Sequence, residues 1–231
     1  DGLADKTVQE KINRELKDLF IAQYETGTAS QESEEEDYPK SDDVRYEIKR
    51  NQNLLMVGQS GYYYPLGAVH GMPSLYYYHI DLRTGTVYSM KDLFKSGSKY
   101  TDRLTALVME KKAMDERIYK VLGYDGYYLS EPKVKEGQCF RIGKDSVEFI
   151  YQPYDIAPYA AGMPSLEIPY GQITDILNTS GDFWNSFDKK TGNSKIGLYD
   201  MRYGSEELDE GTVTALKTLT GAYESKLMEA V

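Results

Sequence analysis

Three prolines, Pro153, Pro158 and Pro164, fall within VEFIYQPYDIAPYAAGMPSLEIPYGQI at residues 147–173, and no other stretch of the chain restricts its own backbone so tightly. Proline lacks an amide donor, holds φ near one value and pushes its predecessor to extended geometry, so the middle of this stretch is neither regular helix nor central strand. It is a long, stiff loop. Before it, Val147, Phe149 and Tyr151 alternate with Glu148 and Ile150, the pattern of a strand with one well-buried face. After it, Leu166, Ile168 and Tyr170 resume the alternation, with Pro169 tolerable only at an edge or a bulge. Residues 170–177 open a short helix. The remaining segments read as support or cover for this strand, braced loop, strand and helix.

An amphipathic helix is predicted over about residues 5–25, where Val8, Ile12, Leu16, Leu19 and Phe20 share a face. Residues 26–43 hold almost no core material and run through Glu34, Glu35, Glu36 and Asp37, which predicts an acidic loop. Consecutive carboxylates diverge in direction, which disfavours a metal site there. Val44, Tyr46 and Ile48 begin an antiparallel meander, followed by a second strand at 54–57, turns or bulges through GQSGYYYP, and a third strand and hairpin in LYYYHIDLRTGTVYSM. A second helix is expected over 98–120, burying Leu104, Leu107, Val108, Met114, Ile118 and Val121. A turn at 125–128 and a hairpin of 138–142 with 146–151 then lead into the proline-braced stretch. From 178 onward Gly, Asn, Ser and Asp surround the only tryptophan, Trp184, so 178–231 reads as an extension, closed by a helix from residue 210. The pentapeptide GMPSL occurs at 71–75 and again at 162–166, and the two copies are expected to launch adjacent strands.

Composition narrows the function classes. The net charge is −10 and no Lys/Arg positions form a dense cluster, which argues against nucleic acid and favours a cationic partner, or simply solubility. Tyrosines number 22 against 6 phenylalanines, so a sheet can expose an amphipathic face without becoming an apolar patch. A single cysteine, Cys139, excludes an internal disulfide and a Cys-based zinc cage, and reads as a buried strand thiol. No apolar run is long enough to span a membrane. The chain begins at Asp1 beside a helix, which reads as a processed piece whose membrane attachment, if any, lies upstream.

Reagents for catalysis are sparse. The two histidines are His70, in an AVHG turn where backbone hydrogen bonding is its commonest role, and His79, a strand residue expected to be satisfied by a neighbour such as Asp81. No nucleophile elbow, zinc-protease helix or phosphate loop is present. Carboxylates are so abundant that no pair stands out as a glycoside-cleaving dyad, and DKKTGNSKIG at 188–197 reads as a turn because lysines occupy its calcium-ligand positions. No cofactor, metal site or catalytic residue is assigned. Binding is better supported: Tyr154, Pro158, Tyr159 and Met163 lie on a backbone restricted before any ligand arrives, and with His70 they form the candidate partner-binding set. The alternative is that this loop folds inward and its tyrosines cap the core.

The segments GAVHGMPSLYYYHIDLRTGTVYSMKDLF and, about 55 residues later, VEFIYQPYDIAPYAAGMPSLEIPYGQI resemble a bacterial cell-envelope domain family of unknown function. The family is exemplified by the C-terminal ectodomain of the lysozyme-sensing anti-sigma-V factor RsiV, and GLADKTVQEKINRELKDLF resembles the small α+β domain that precedes it. The resemblance covers about residues 1–177 and implies an extracytoplasmic, non-catalytic α+β module whose best-understood member binds lysozyme, a cationic enzyme. No sigma-binding or transmembrane segment is present, and 178–231 has no counterpart in that member.

The expected fold is α+β, with antiparallel sheets, packed helices and two subdomains. A small N-terminal unit spans 1–64, the RsiV-like unit 65–177, and the extension 178–231. The expected function is binding or sensing of a lysozyme-like cationic protein or a cell-wall glycan, in a secreted or membrane-anchored protein. The alternatives are an accessory domain of a peptidoglycan-modifying enzyme and a structural spacer.

Overall fold

The computed structural model describes residues 2–29, 43–64, 68–121 and 128–189, together with Thr214 and Thr218. The acidic run at 30–42, nearly all of the turn at 125–128, the stretch from 190 to 197 and, apart from the two threonines, the C-terminal helix lie outside the described residues. The described chain is α+β, with a four-stranded and a three-stranded antiparallel sheet and packed helices. It divides into one unit of Asp1–Leu93 with Thr179–Asp188 and a second of Phe94–Asn178 with Lys189–Val231. The division thus falls after Leu93, where the sequence reading draws it after residue 64, and part of the expected extension belongs to the first unit.

In the first unit, α1 (Lys6–Ala29) starts at Asp5, whose Oδ1 accepts the amides of Thr7 and Val8 at 2.9 and 3.1 Å and satisfies two of the orphan donors of the first turn. The helix runs four residues past its expected end, into what composition reads as loop. Its apolar stripe packs on a sheet of β1 (Asp43–Asn51), β2 (Leu54–Tyr63), β3 (Met72–Asp81) and β4 (Val87–Tyr88), in that order across the sheet. Ile12, Val57, Tyr78 and Ile80 form the core there, with Leu16, Leu19 and Phe20 against it. The second strand does not stop at Val57. It continues through Tyr63 because Gly58 lies against the Tyr77 ring, where a β-carbon would come within 2.8 Å, and the ladder to β1 runs unbroken from Leu54 to Tyr62.

The opposite face of this sheet carries Met56, His79 and Tyr88, and a short helix, α3 (Asp182–Asn185), covers them. Phe183 stacks on Tyr88 with ring centroids 4.5 Å apart and lies tilted against His79 at 5.7 Å. The segment is tied down by the Asn53 amide donating to the Ser186 carbonyl at 2.9 Å. Asn51 and Asp188 exchange two further bonds, of 2.9 and 3.0 Å. Residues 179–188 are therefore core material for the first unit, not an appendage.

In the second unit, α2 (Tyr100–Val121) buries Leu104, Leu107, Val108, Met114 and Ile118 as its periodicity predicts, together with Lys111 and Asp115, which it does not. It packs against β7 (Ser165–Pro169), the edge of a sheet ordered β5 (Phe140–Ile142), β6 (Ser146–Ile150), β7. Central β6 buries Val147, Phe149 and Ile150 and leaves Glu148 half-buried, so both of its faces are covered where alternation implies one. Pro169 sits on an edge strand, as its missing donor requires. After it comes a 3-10 turn, Tyr170–Gln172, in place of the expected longer helix. The two GMPSL copies feed β3 and β7, which belong to different sheets, so they do not launch adjacent strands. Cys139 is half-buried and precedes β5, so it is not a buried strand thiol.

Candidate functional site

The loop between β6 and β7 is anchored at intervals in the core. Tyr151, Pro153, Ile156, Ala157 and Pro164 are buried, while Tyr154, Asp155 and Ala160 are exposed and Pro158, Tyr159 and Met163 half-buried. The Tyr151 amide donates to the Pro164 carbonyl at 2.9 Å and closes the base of the loop. Burial, with the Asp155 charge secondary, pushes the Tyr151 phenol well above its ordinary range and keeps it neutral.

Residues 152–155 form a tight turn. The Asp155 amide donates to the Gln152 carbonyl at 3.0 Å, and the Gln152 amide returns a bond to Asp155 Oδ2 at 2.8 Å. Pro153 takes the first central position and Tyr154 the second, with φ of +69°. That is the type II pattern, which ordinarily places glycine at this point. A bulky residue in the left-handed region costs on the order of 1–2 kcal/mol. Tyr154 is 50% exposed, and its centroid lies 5.9 Å from that of Tyr159 at an interplanar angle of 33°. Gly162, with φ of +69° and open space around its missing β-carbon, then turns the chain back into β7. Y154G is accordingly expected to be more stable than Y154A by about 1 kcal/mol, because only the glycine relieves the positive φ; paired thermal melts check this.

A second layer positions the turn. The Leu129 amide donates to the Ile156 carbonyl at 2.8 Å and the Ser130 hydroxyl to the Asp155 carbonyl at 2.6 Å. Neighbouring Tyr128 donates its hydroxyl to Asp115 Oδ2 on α2 at 2.8 Å, and Lys112 lies 5.3 Å over its ring. Burial raises the Asp115 pKa against the opposing pull of Lys111 and Tyr128, and burial lowers that of Lys111 against Asp115 and Glu167. On the sheet, the Ser146 hydroxyl donates to Glu167. Through residues 128–130 the Tyr154 turn is thus tied to α2, while the Ser146–Glu167 bond lies toward the other end of the β6–β7 pair. Nothing in the sequence period flags Lys111 or Asp115, since both fall on the apolar stripe.

His70 belongs to the first unit. Its Nδ1 lies 3.0 Å from the Gly71 carbonyl, and the turn is held by the Gly71 amide donating to the Tyr62 hydroxyl at 3.2 Å and the Tyr64 hydroxyl donating to the Ala68 carbonyl at 3.0 Å. Asp81, the expected partner of His79, is fully buried and accepts from Arg83 Nε and Nη2, at 3.0 and 2.6 Å, and from the Tyr88 hydroxyl at 2.8 Å. Burial raises its pKa, but these hydrogen bonds outweigh that and hold the carboxyl below its ordinary value. Among the described residues no cluster of three His, Cys, Asp or Glu is placed to hold a metal ion.

Residues 91–171, which include the whole braced loop, match the family model described as Protein of unknown function (DUF3298). That stretch, about a third of the chain, is what resembles the DUF3298 family. Two solved structures of DUF3298 proteins are similar to this chain. One, from Pseudomonas aeruginosa PAO1, is 21% identical with a TM-score of 0.48, covering 64% of this chain and 64% of that one. The other, from Bacteroides fragilis NCTC 9343, is 26% identical with a TM-score of 0.50, covering 58% of this chain and 53% of that one. The chain thus spans less than two thirds of either relative. No curated protein matches it. Tyr154, Pro158, Tyr159 and Met163 lie inside the DUF3298 match and His70 outside it.

Proposed function

We propose that the DUF3298-like domain is a non-catalytic binding module of the bacterial cell envelope, and that it takes a lysozyme-like cationic protein through the Tyr154 and Tyr159 rings. The observation that supports this reading most is the strained, half-exposed Tyr154, held out by a turn whose anchors are buried. Backbone strain at a bulky residue persists only where the surroundings impose it, and such positions cluster at functional sites. Two rigid aromatic faces suit a lysine or arginine of the partner. Exposed Asp155 beside them supplies an acceptor, and the acidic chain, at −10, steers a cationic protein toward it. The resemblance to the RsiV ectodomain supplies both the partner class and the extracytoplasmic setting. No described helix is long and apolar enough to cross a membrane, so attachment in this proposal rests on residues outside those described.

The test is binding of the full chain to immobilised c-type lysozyme at low and at high salt. Saturable binding that weakens with salt, and falls at least tenfold in both Y154A and Y159A, is the expected result. Binding unchanged by either substitution would move the site elsewhere. Binding to peptidoglycan fragments with none to lysozyme would replace the protein partner by a glycan.

A further inference from the structure

The first sheet ends in an edge that is long, regular and patterned. Among the described residues β1 pairs only with β2, over nine residues in continuous register, with no bulge and no proline. Val44, Tyr46 and Ile48 lie on the face that also carries α1 and are exposed by 37, 49 and 68%. Arg45, Glu47 and Lys49 alternate with them on the other face and are also exposed. Monomeric proteins ordinarily blunt such an edge with a bulge, a proline, a short strand or charged side chains; of these β1 has only the charges, and Arg45, Glu47 and Lys49 alternate in sign, so that two copies can match them.

We infer that this edge pairs with the same edge of a second copy, the two β1 strands running antiparallel about a twofold axis at Tyr46 and joining two four-stranded sheets into one. Charge and apolar pattern together select that register. With the axis at Tyr46, Arg45 faces Glu47 of the second copy and Glu47 faces Arg45, beside the Glu47–Lys49 pair that each strand makes within itself at 2.6 Å. On the other face Val44 meets Ile48, Tyr46 meets Tyr46 and Ile48 meets Val44, so the apolar residues of both copies make one stripe. An axis at Arg45 or at Glu47 would set like charges against each other, which is destabilising across a strand pair. An axis at Ile48 would place Tyr46 against Arg50 and carry Val44 beyond the end of the strand. A closed twofold pairing satisfies both edges and leaves no edge of this kind for further growth.

The test is the mass of the full chain by analytical ultracentrifugation over a concentration series, for the wild type, R45E, E47R and the double variant R45E/E47R. The expected result is a concentration-dependent dimer for the wild type, at least a tenfold weaker dimer for each single reversal, and recovery to within a few-fold in the double variant, where the facing charges are opposite again. Circular dichroism verifies that each variant is folded, and the recovery itself separates lost pairing from lost folding. A wild type that stays monomeric at the highest concentration reached, an open series of larger assemblies, single reversals without effect, or a double variant that stays monomeric would each overturn the inference.

Discussion

Replacing Phe183 by alanine is expected to destabilise the first unit by about 3–5 kcal/mol, the range for removing a fully buried phenylalanine without collapse of the site. Phe183 is 1% exposed and lies between the stacked ring of Tyr88, the tilted ring of His79 and the edge of Phe187 at 6.2 Å. Those partners are fixed by strands on one side and by the Ser186 and Asp188 hydrogen bonds on the other. The cavity therefore has little means to close. Urea unfolding followed by the emission of Trp184, the only tryptophan, reads this unit directly. A loss under about 1 kcal/mol would mean that residues 179–188 are cover without being core.

The same unit is expected to lose stability in mild acid through His79. Burial pushes the fully buried His79 down to about 3 from an ordinary 6.5. Between those values the unfolded chain binds a proton that the native chain does not, so stability is complete above pH 6.5 and falls as pH drops. The slope is about 1.4 kcal/mol per pH unit, or about 3 kcal/mol between pH 6.5 and 4. Asp81 acts in a lower window. Its folded pKa is held below the ordinary 3.8 by Arg83 and Tyr88, so its contribution is present above that value and is lost only as pH falls beneath it. H79L is therefore expected to flatten the pH dependence of the urea midpoint between pH 6.5 and 4 while leaving the steeper loss at lower pH. An unchanged slope in H79L would place the acid sensitivity elsewhere.

Local periodicity makes much of this architecture legible. α1 and α2 follow from apolar residues at helical spacing, and the hairpins from alternation around Gly-containing turns. The braced loop follows from proline chemistry alone, and Pro169 on an edge strand from its missing donor. Elements whose cause lies far away in sequence are not legible in this way. β2 continues past Val57 because Tyr77, on another strand, needs the space that Gly58 leaves. α3 is four residues long, too short for a period, and its burial is set by Tyr88 and His79.

The candidate site shows the same division. Stiffness and aromatic content of the loop are written in residues 153–163. Whether it folds inward or outward is not, and the structure does both, burying Tyr151 and Ile156 while exposing Tyr154. The positive φ of Tyr154 has no signal in the sequence, since the proline of Gln-Pro-Tyr-Asp suits type I and type II turns alike and the glycine that marks type II is missing.

The central claim is that this ring is held out for a partner at a cost in strain. Calorimetric titration of c-type lysozyme, and separately of peptidoglycan fragments, into the wild type and Y154G tests it most directly, because the glycine preserves the turn while removing the ring. The account predicts saturable, salt-sensitive heat of lysozyme binding for the wild type and affinity at least tenfold lower for Y154G, with no loss of melting temperature relative to Y154A. No saturable heat with either ligand, or equal affinity in both proteins, would contradict it.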